Sequence, residues 1–378
     1  MEKTLPLAIT FPAVDPVSRT TSQRIGVARV LCIVLMTFVH VQPGIAGNVY
    51  AQPVDGFAFV YFTLTRLVGL SSVSLLGIVS GYLMAASLGK MQFAAVAGKV
   101  RSLLVPLVAW NAIMFGLILV YGMLSGNWEK LPDASPMGVA NAFFALNEWP
   151  LVVPLWFLRD LFVCCLLSPF VVVALTRAPV VTFALLFGYV LFGEGTWLLQ
   201  RPQLLLFFSI GLWLRLTRQE GERLDRAALA LAAGVLPVTA IFLYFRAEGI
   251  LLGDLNPQLL AILDTVLRLT MAAAVWQAAR VIAGSSVLSR IRGYEPYVFL
   301  LFCSHAILFD FGGIILRRLF GNYGDLLFPL SFFLQPLLAI VAAWLCALVL
   351  LRLPAVIGEA LNGGKLPVRR NADRKPPA

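Results

Sequence analysis

Apolar runs of about 18 to 25 residues, the length that carries a helix across the hydrocarbon core of a bilayer, alternate along the chain with short breaks of Gly, Pro, Asn and clustered charge. Ten such runs are predicted as transmembrane helices: Arg24 to Pro43, Val60 to Leu88, Leu103 to Leu124, Leu151 to Leu175, Val180 to Leu198, Leu204 to Leu216, Ala227 to Phe245, Gln258 to Val281, Tyr297 to Ile315 and Leu326 to Leu351. The sixth is short and follows closely on the fifth, so that is where the pattern best tolerates merging or splitting. The runs are continuous, whereas the strands of a transmembrane barrel alternate over about ten residues. Backbone that faces lipid must also bond within its own segment. The expected fold class is all-α, a polytopic membrane protein of about ten transmembrane helices.

Composition agrees. With 60% hydrophobic and 13% charged residues and a mean hydropathy of +0.88, the chain has too little polar surface for a soluble domain of its size. The net charge of +10 is distributed by loop. With the N-terminus cytoplasmic, the inner connections carry eleven basic residues (Lys90, Lys99, Arg101, Arg177, Arg215, Arg218, Arg223, Arg226, Arg280, Arg290 and Arg292), and six more follow from Arg352 onward. The outer connections carry five: Lys130, Arg201, Arg246, Arg317 and Arg318. This bias predicts that both termini are cytoplasmic. No basic stripe is interleaved with aromatics, so the charge points to insertion and anionic lipid and away from nucleic acid.

The expected organisation is a disordered cytoplasmic tail over 1–23, one transmembrane domain over 24–353 and a second disordered tail over 354–378, because both ends are polar and rich in Pro and charge. A cleaved signal peptide is the alternative for the first run, with small residues Val49 and Ala51 at a plausible cleavage position. The polar stretch before the apolar core is long for that reading.

Chemistry in such a chain must come from polar side chains among the helices. The five cysteines (Cys32, Cys164, Cys165, Cys303 and Cys346) all fall in apolar runs and read as small hydrophobes. His40 and His305 are the two histidines, and no acidic or thiol cluster near them completes a metal site, so no metal is expected. No Gly-rich phosphate loop and no Gly-x-Ser-x-Gly elbow is present. Arg66, Arg159, Asp160, Asp264, Arg268 and Asp310 fall within or near the runs, where an ionised group costs several kcal/mol unless paired or hydrated. Asp264 and Arg268 are four apart and are expected to neutralise each other on one face. Arg159 and Asp160 are adjacent and are expected to point apart, each toward another helix or a water-filled cavity.

Arg29 and His40 stand eleven residues apart in the first run, ARVLCIVLMTFVH. Eleven α-helical steps amount to almost three turns, so both are predicted on one face, about 16 Å apart along the axis. Taken singly, Arg29 is a snorkelling anchor and His40 an interfacial histidine bonded to a carbonyl. Taken together, they put a fixed cation and a titratable base on one stripe.

The same residues open a resemblance. RIGVARVLCIVLMTFVH, with its Arg-x10-His arrangement, SGYLMA at Ser80 to Ala85, KVRSLLVPLVAW at Lys99 to Trp110, PLWFLRDL at Pro154 to Leu161 and CSHAIL at Cys303 to Leu308 follow one another in the order found in acyltransferase family 3, integral-membrane O-acyltransferases that modify bacterial carbohydrates. The chain resembles that family over nearly its whole length. It departs from it at the third run, where Lys99 and Arg101 are two apart and the family often has two arginines three apart. The extracytoplasmic hydrolase-like domain that some members append is not present in the sequence.

The resemblance implies a stand-alone enzyme of the bacterial inner membrane, multi-pass, with acetyl-CoA or succinyl-CoA as donor substrate, no bound cofactor, and a carbohydrate acceptor: an exopolysaccharide, another surface polysaccharide or a lipid-linked oligosaccharide. It implies His40 as general base, a role worth roughly 10² to 10⁴ in rate, with Arg29 beside it. Arg29, Lys99 and Arg101 are the expected contacts of the donor's phosphates. Trp156, Arg159, Glu148, Glu194 and His305 are candidates for the lining of the acceptor path or cavity. The competing class is a flippase or exporter of lipid-linked saccharide. Such transporters often show repeated halves, which this sequence does not display. Its expected partners are membrane lipid, the acyl donor and the saccharide.

Overall fold

The computed structural model describes residues 15–52, 56–88, 97–193, 198–219 and 221–364. Every element among them is helical. In chain order these are α1 (Arg19–Thr37), α2 (Gly56–Phe62), α3 (Leu70–Leu88), α4 (Val105–Ser125), α5 (Pro136–Phe144), α6 (Trp156–Arg177), α7 (Pro179–Phe192), α8 (Gln203–Leu216), α9 (Glu222–Ala233), α10 (Val235–Ala247), α11 (Pro257–Ala283), α12 (Leu288–Tyr294), α13 (Val298–Phe320), α14 (Phe328–Leu350) and α15 (Ala355–Asn362). Eight continuous helical stretches are long and apolar enough to cross a membrane, and α7 and α8 are shorter apolar helices of 14 residues each. Each of the ten expected runs contains a helix among the described residues, with the two short ones where the pattern was weakest. The chain is a multi-pass, all-α membrane protein.

Local chemistry explains where the helices start and stop. The Ser18 hydroxyl accepts from the Thr21 N–H at 3.2 Å and caps α1, five residues before the predicted start. Asn256 caps α11 by accepting from the Leu259 N–H at 3.0 Å, with Pro257 in the first turn, and α4 ends on Gly126 in the left-handed region. Two π-turns break the α register: Thr63–Gly69 joins α2 to α3, and Val100–Leu104 leads into α4. Each inserts a residue that hydropathy alone does not reveal.

The closest helix pair is α3 with α8. A Cβ at Gly81 would fall on the Phe208 carbonyl oxygen, and one at Gly211 on the Ile78 carbonyl oxygen. Small residues here let two backbones touch, which is how helices associate where lipid removes the hydrophobic incentive. Ser80 is a packing residue whose hydroxyl bonds back to the Leu76 carbonyl at 2.7 Å.

The disordered tails need correction. Residues 15–18 are described and Arg19–Gln23 belong to α1, and the segment after Leu353 contains α15. The Trp110 indole donates to the Leu361 carbonyl at 2.9 Å, and Gly363, at φ +59, lies where a Cβ would meet the Ser102 carbonyl at 2.7 Å. The last helix is thus held against α4 and its π-turn. Residues 1–14 and 365–378 lie outside the described residues. The cysteines are free, four of them buried.

Candidate active site

At its far end α1 tightens. Phe38–His40 is a 3₁₀ turn, which advances about 120° per residue where an α-helix advances about 100°. Over three ideal residues that adds about 60° of rotation to the spacing between Arg29 and His40. Arg29 pairs with Glu295 at 3.7 Å, both side chains more than a third exposed. It does not line the cavity into which His40 opens. Arg29 and His40 both meet the stretch from Arg290 to Phe320, at Glu295 and at His305, and of the two only His40 opens into the cavity.

That cavity, of about 430 Å³, lies among α1, the π-turn before α3, α8 and α11. Arg66, Asp264, Arg268, Gln203, Trp149 and Trp156 share its wall with His40. Asp264 takes Arg268 Nε at 2.6 Å and Arg66 at 3.0 Å, and Gln203 donates to it at 3.4 Å. The expected Asp264–Arg268 pair exists, but a second guanidinium joins it. Two cations share that one carboxylate. The π-turn is what delivers Arg66, and Gly69 at its end lets the His40 turn approach: a Cβ there would collide with a Val39 methyl and lie 2.7 Å from the Leu64 carbonyl.

Behind His40 lies His305 of α13, the two rings 5.0 Å apart and inclined at 58°. His305 is fully buried. Its Nδ1 lies 3.0 Å from the Leu301 carbonyl and 2.8 Å from the Phe302 carbonyl. Carbonyls only accept, so Nδ1 carries the proton and Nε2 is left as an acceptor. That Nε2 is buried and has no partner among the described residues. A buried acceptor without a donor is costly, and here it stands beside the other imidazole. The turn after His40 is fixed to the same helix: Gln42 donates to Asp310 and accepts from Arg317 at 3.3 Å, and the Tyr323 N–H donates to the Pro43 carbonyl at 2.8 Å.

Beyond Trp149 a second cavity, of about 360 Å³, opens at the His40 end of the bundle. Its polar wall is Lys130, Asp133, Asn141, Glu148 and Asp310, with Lys130 and Asp310 paired at 3.6 Å. Ser135 donates to Asp133 from its hydroxyl at 2.5 Å and from its N–H at 3.3 Å, which holds the Asp133 carboxyl below the ordinary range. Trp149 belongs to both cavities, lies 6.2 Å from Trp156 edge to face and carries Arg201 at 5.3 Å over its ring. An aromatic face among carboxylates, an amide and an ammonium is a surface that suits a sugar.

The remaining sequence candidates separate. Trp156 and Glu148 line these cavities; His305 stands behind His40. Arg159 does not line either cavity. It pairs with its neighbour Asp160 at 2.9 Å, contrary to the expectation that they point apart, and donates to the Leu198 and Leu146 carbonyls at 2.6 and 3.0 Å. Asp160 accepts from the Gln200 and Arg201 N–H groups at 3.1 and 2.9 Å. In the first turn of α6 neither side chain is confined by a preceding turn, so adjacent residues can meet. Together they clamp the segment that leads into α8. Lys99 and Arg101 flank or occupy the π-turn before α4 and line neither cavity. Glu194 lies outside the described residues. Trp149 and Gln203 were not singled out from the sequence, where nothing distinguishes them from interfacial residues.

Residues 23–352 match the acyltransferase domain family. The chain belongs to that family. It is also 26% identical over 366 residues, 94% of this chain and 95% of the relative, to the succinoglycan biosynthesis protein ExoH of Rhizobium meliloti (strain 1021). No solved structure matches the chain.

Proposed function

We propose that the protein is an O-acyltransferase of the bacterial inner membrane that moves an acyl group from acyl-coenzyme A, acetyl-CoA or succinyl-CoA, to a sugar hydroxyl of an exopolysaccharide, another surface polysaccharide or a lipid-linked oligosaccharide. The observation that carries this reading is His40, without a hydrogen-bond partner among the described residues, opening into a cavity walled by Arg66, Asp264 and Arg268 and backed by the unmatched acceptor of His305. A neutral His40 takes the proton of the hydroxyl as its oxygen attacks the thioester carbonyl. The surplus charge of Arg66 and Arg268 faces the oxyanion that develops. The C–S bond then breaks and the thiolate leaves, recovering the proton from the imidazolium. The saccharide approaches through the outer cavity over Trp149, and the donor from the opposite, basic end, where Arg29, Lys99 and Arg101 stand outside the cavities as contacts for its phosphates.

The name of the relative supports a polysaccharide acceptor. The same surplus charge favours an acyl group that ends in a carboxylate, so succinyl is the second reading of the transferred group. Mass spectrometry of surface polysaccharide from cells with and without the gene tests both. Loss of the acetyl or the succinyl increment, reproduced by His40→Ala at normal protein abundance, is the expected result and names the group. Unchanged acylation, or normally acylated saccharide retained inside the cell, overturns the enzyme reading in favour of export.

A further inference from the structure

A cavity of about 330 Å³ lies between the π-turn Thr63–Gly69, the 3₁₀ turn Val49–Ala51 and the end of α10. Its charged residues are Arg66 and Arg246, and among the described residues no carboxylate lines it. Arg66 also lines the central cavity, so one side chain is common to both walls. Arg246 stands in the last turn of α10 and is 5% exposed. It donates to the Gln52 carbonyl at 3.0 Å, and its Nε is buried with no partner among the described residues. The carbonyls of Tyr244, Phe245 and Arg246 at the end of α10 are already taken by the N–H groups of Glu248, Ile250 and Gly249. The Tyr50 hydroxyl, within electrostatic reach of both guanidiniums, is committed inside the wall: Thr65 donates to the Tyr61 carbonyl at 2.7 Å and therefore accepts the Tyr50 proton at 3.0 Å. Asn48 accepts the Tyr50 N–H at 2.9 Å through Oδ1, which leaves its amide nitrogen as a donor. The polar groups with hydrogen-bonding capacity to spare are thus donors, and two of them are cations.

Resting on the reading of the chain as an acyltransferase with a saccharide acceptor, we propose that this cavity holds an oxyanion of that acceptor, a carboxylate or a phosphate, clamped by Arg246 and Arg66 while a hydroxyl of the same molecule enters the central cavity at His40. A wall of donors asks for an occupant that only accepts. A buried N–H left unmatched is costly, and an oxyanion takes two N–H groups of a planar guanidinium at once. A neutral sugar hydroxyl could accept one such bond, but the charge of Arg246 would stay buried and unbalanced. Arg66 ties the anion to the chemistry, because its guanidinium faces this cavity on one side and holds Asp264 of the central cavity at 3.0 Å on the other. A saccharide anchored by its acid would present one hydroxyl to the base in a fixed orientation, which is where an enzyme gains rate and selects its position of attack. Asn48 and Arg246 fall in connections that the loop charges predict to be outside, away from the cytoplasmic nucleotide of the donor.

Acceptor binding to the purified full-length protein in nanodiscs, measured by calorimetry without donor, tests the site. The probe is the oligosaccharide repeat of the surface polysaccharide from cells lacking the gene, used as isolated, with its carboxyls reduced to alcohols, and in lipid-linked form before and after removal of phosphate. The expected result is about a tenfold loss of affinity in Arg246→Gln, a smaller loss in Arg246→Lys, and no further loss for the form stripped of its anion. Acceptor KM should rise by the same factor while donor KM stays unchanged. Carboxyl reduction that reproduces the Arg246→Gln loss in the wild type assigns the anion to a sugar acid, and phosphate removal that does so assigns it to the lipid carrier. Wild-type affinity that is the same with and without either anion overturns the site, whatever the variants do. An Arg246→Gln loss equal for charged and stripped forms also overturns it and assigns Arg246 to holding the Gln52 segment. So does a variant that loses only a co-purified anionic phospholipid, or that raises KM for succinyl-CoA alone. Binding of the expected kind in a protein that transfers no acyl group leaves the site standing and overturns the acyl-transfer reading.

Discussion

His305 is the residue whose environment asks most plainly for a partner. Its protonated Nδ1 is held by two carbonyls, and its Nε2 is buried, unmatched and next to His40. An N–H of His40 that turned toward that acceptor would fix the His40 tautomer and leave its other nitrogen as the base, a positioning role that a carboxylate fills in serine hydrolases. Replacing His305 with Gln keeps a polar group of similar reach but not this geometry. The expected outcome is a fall in kcat of about tenfold to a hundredfold with both KM values unchanged; a variant that loses stability but keeps kcat would assign His305 to packing alone. Asp264 behaves differently because it compensates two arginines at once. Asp264→Asn leaves Arg66 and Arg268 facing each other across the cavity, and a buried charge stripped of its partner costs about 3–5 kcal/mol. Thermal unfolding of that variant should fall by several degrees, and an unaltered unfolding temperature would mean that the cavity is hydrated enough to screen the pair.

The elements that shape the site are departures from the α-helix. The π-turn Thr63–Gly69 presents Arg66, and its terminal glycine admits the 3₁₀ turn that carries His40. Gly69→Val sets a branched side chain against Val39 and the Leu64 carbonyl. It should displace the His40 turn, cutting acyl transfer at least tenfold while the protein still reaches the membrane; activity within twofold of wild type would show that the turn is free to move. Helix existence was legible from sequence because hydropathy counts length, and ten runs gave eight long and two short helices. These turns were not, because hydropathy does not report which carbonyl an N–H chooses. That Arg29 stands outside the cavity into which His40 opens was not legible for that reason: a uniform 100° step does not report a turn that tightens. The Arg159–Asp160 pair escaped because the rule that adjacent residues diverge holds within a helix and weakens at its first turn. α15 escaped because its eight residues lie in a stretch whose polar composition reads as tail. His40, His305, Trp156 and Glu148 stood out in the sequence, each with a structural reading beside the functional one, and the structure sets them at or beside the cavities. Trp149 and Gln203 gained meaning only when helices distant in sequence came together.

Across the molecule a cavity at the Arg19 end, the central one with His40 and the one at the Lys130 end lie in that order. The short helices make this possible. α7 and α8, 14 residues each, rise about 21 Å, less than the roughly 30 Å of a hydrocarbon core. Just before α8, Arg159 and Asp160 bond the backbone at Leu198, Gln200 and Arg201, and Arg201 and Gln203 reach the central wall. On the topology expected from the loop charges, eleven basic residues against five, Arg24 and Arg280 would face the cytoplasm and the Trp149 cavity would face outward. Donor and acceptor would then reach the base from opposite faces without exchanging places, and the reaction would be sided. In sealed inside-out vesicles, acyl-coenzyme A added to the bulk should be consumed when saccharide is enclosed in the lumen. In right-side-out vesicles the same donor should remain intact, because its charged nucleotide cannot cross the bilayer, until a detergent opens them. Equal consumption in both orientations would mean that donor and acceptor use one face of the membrane.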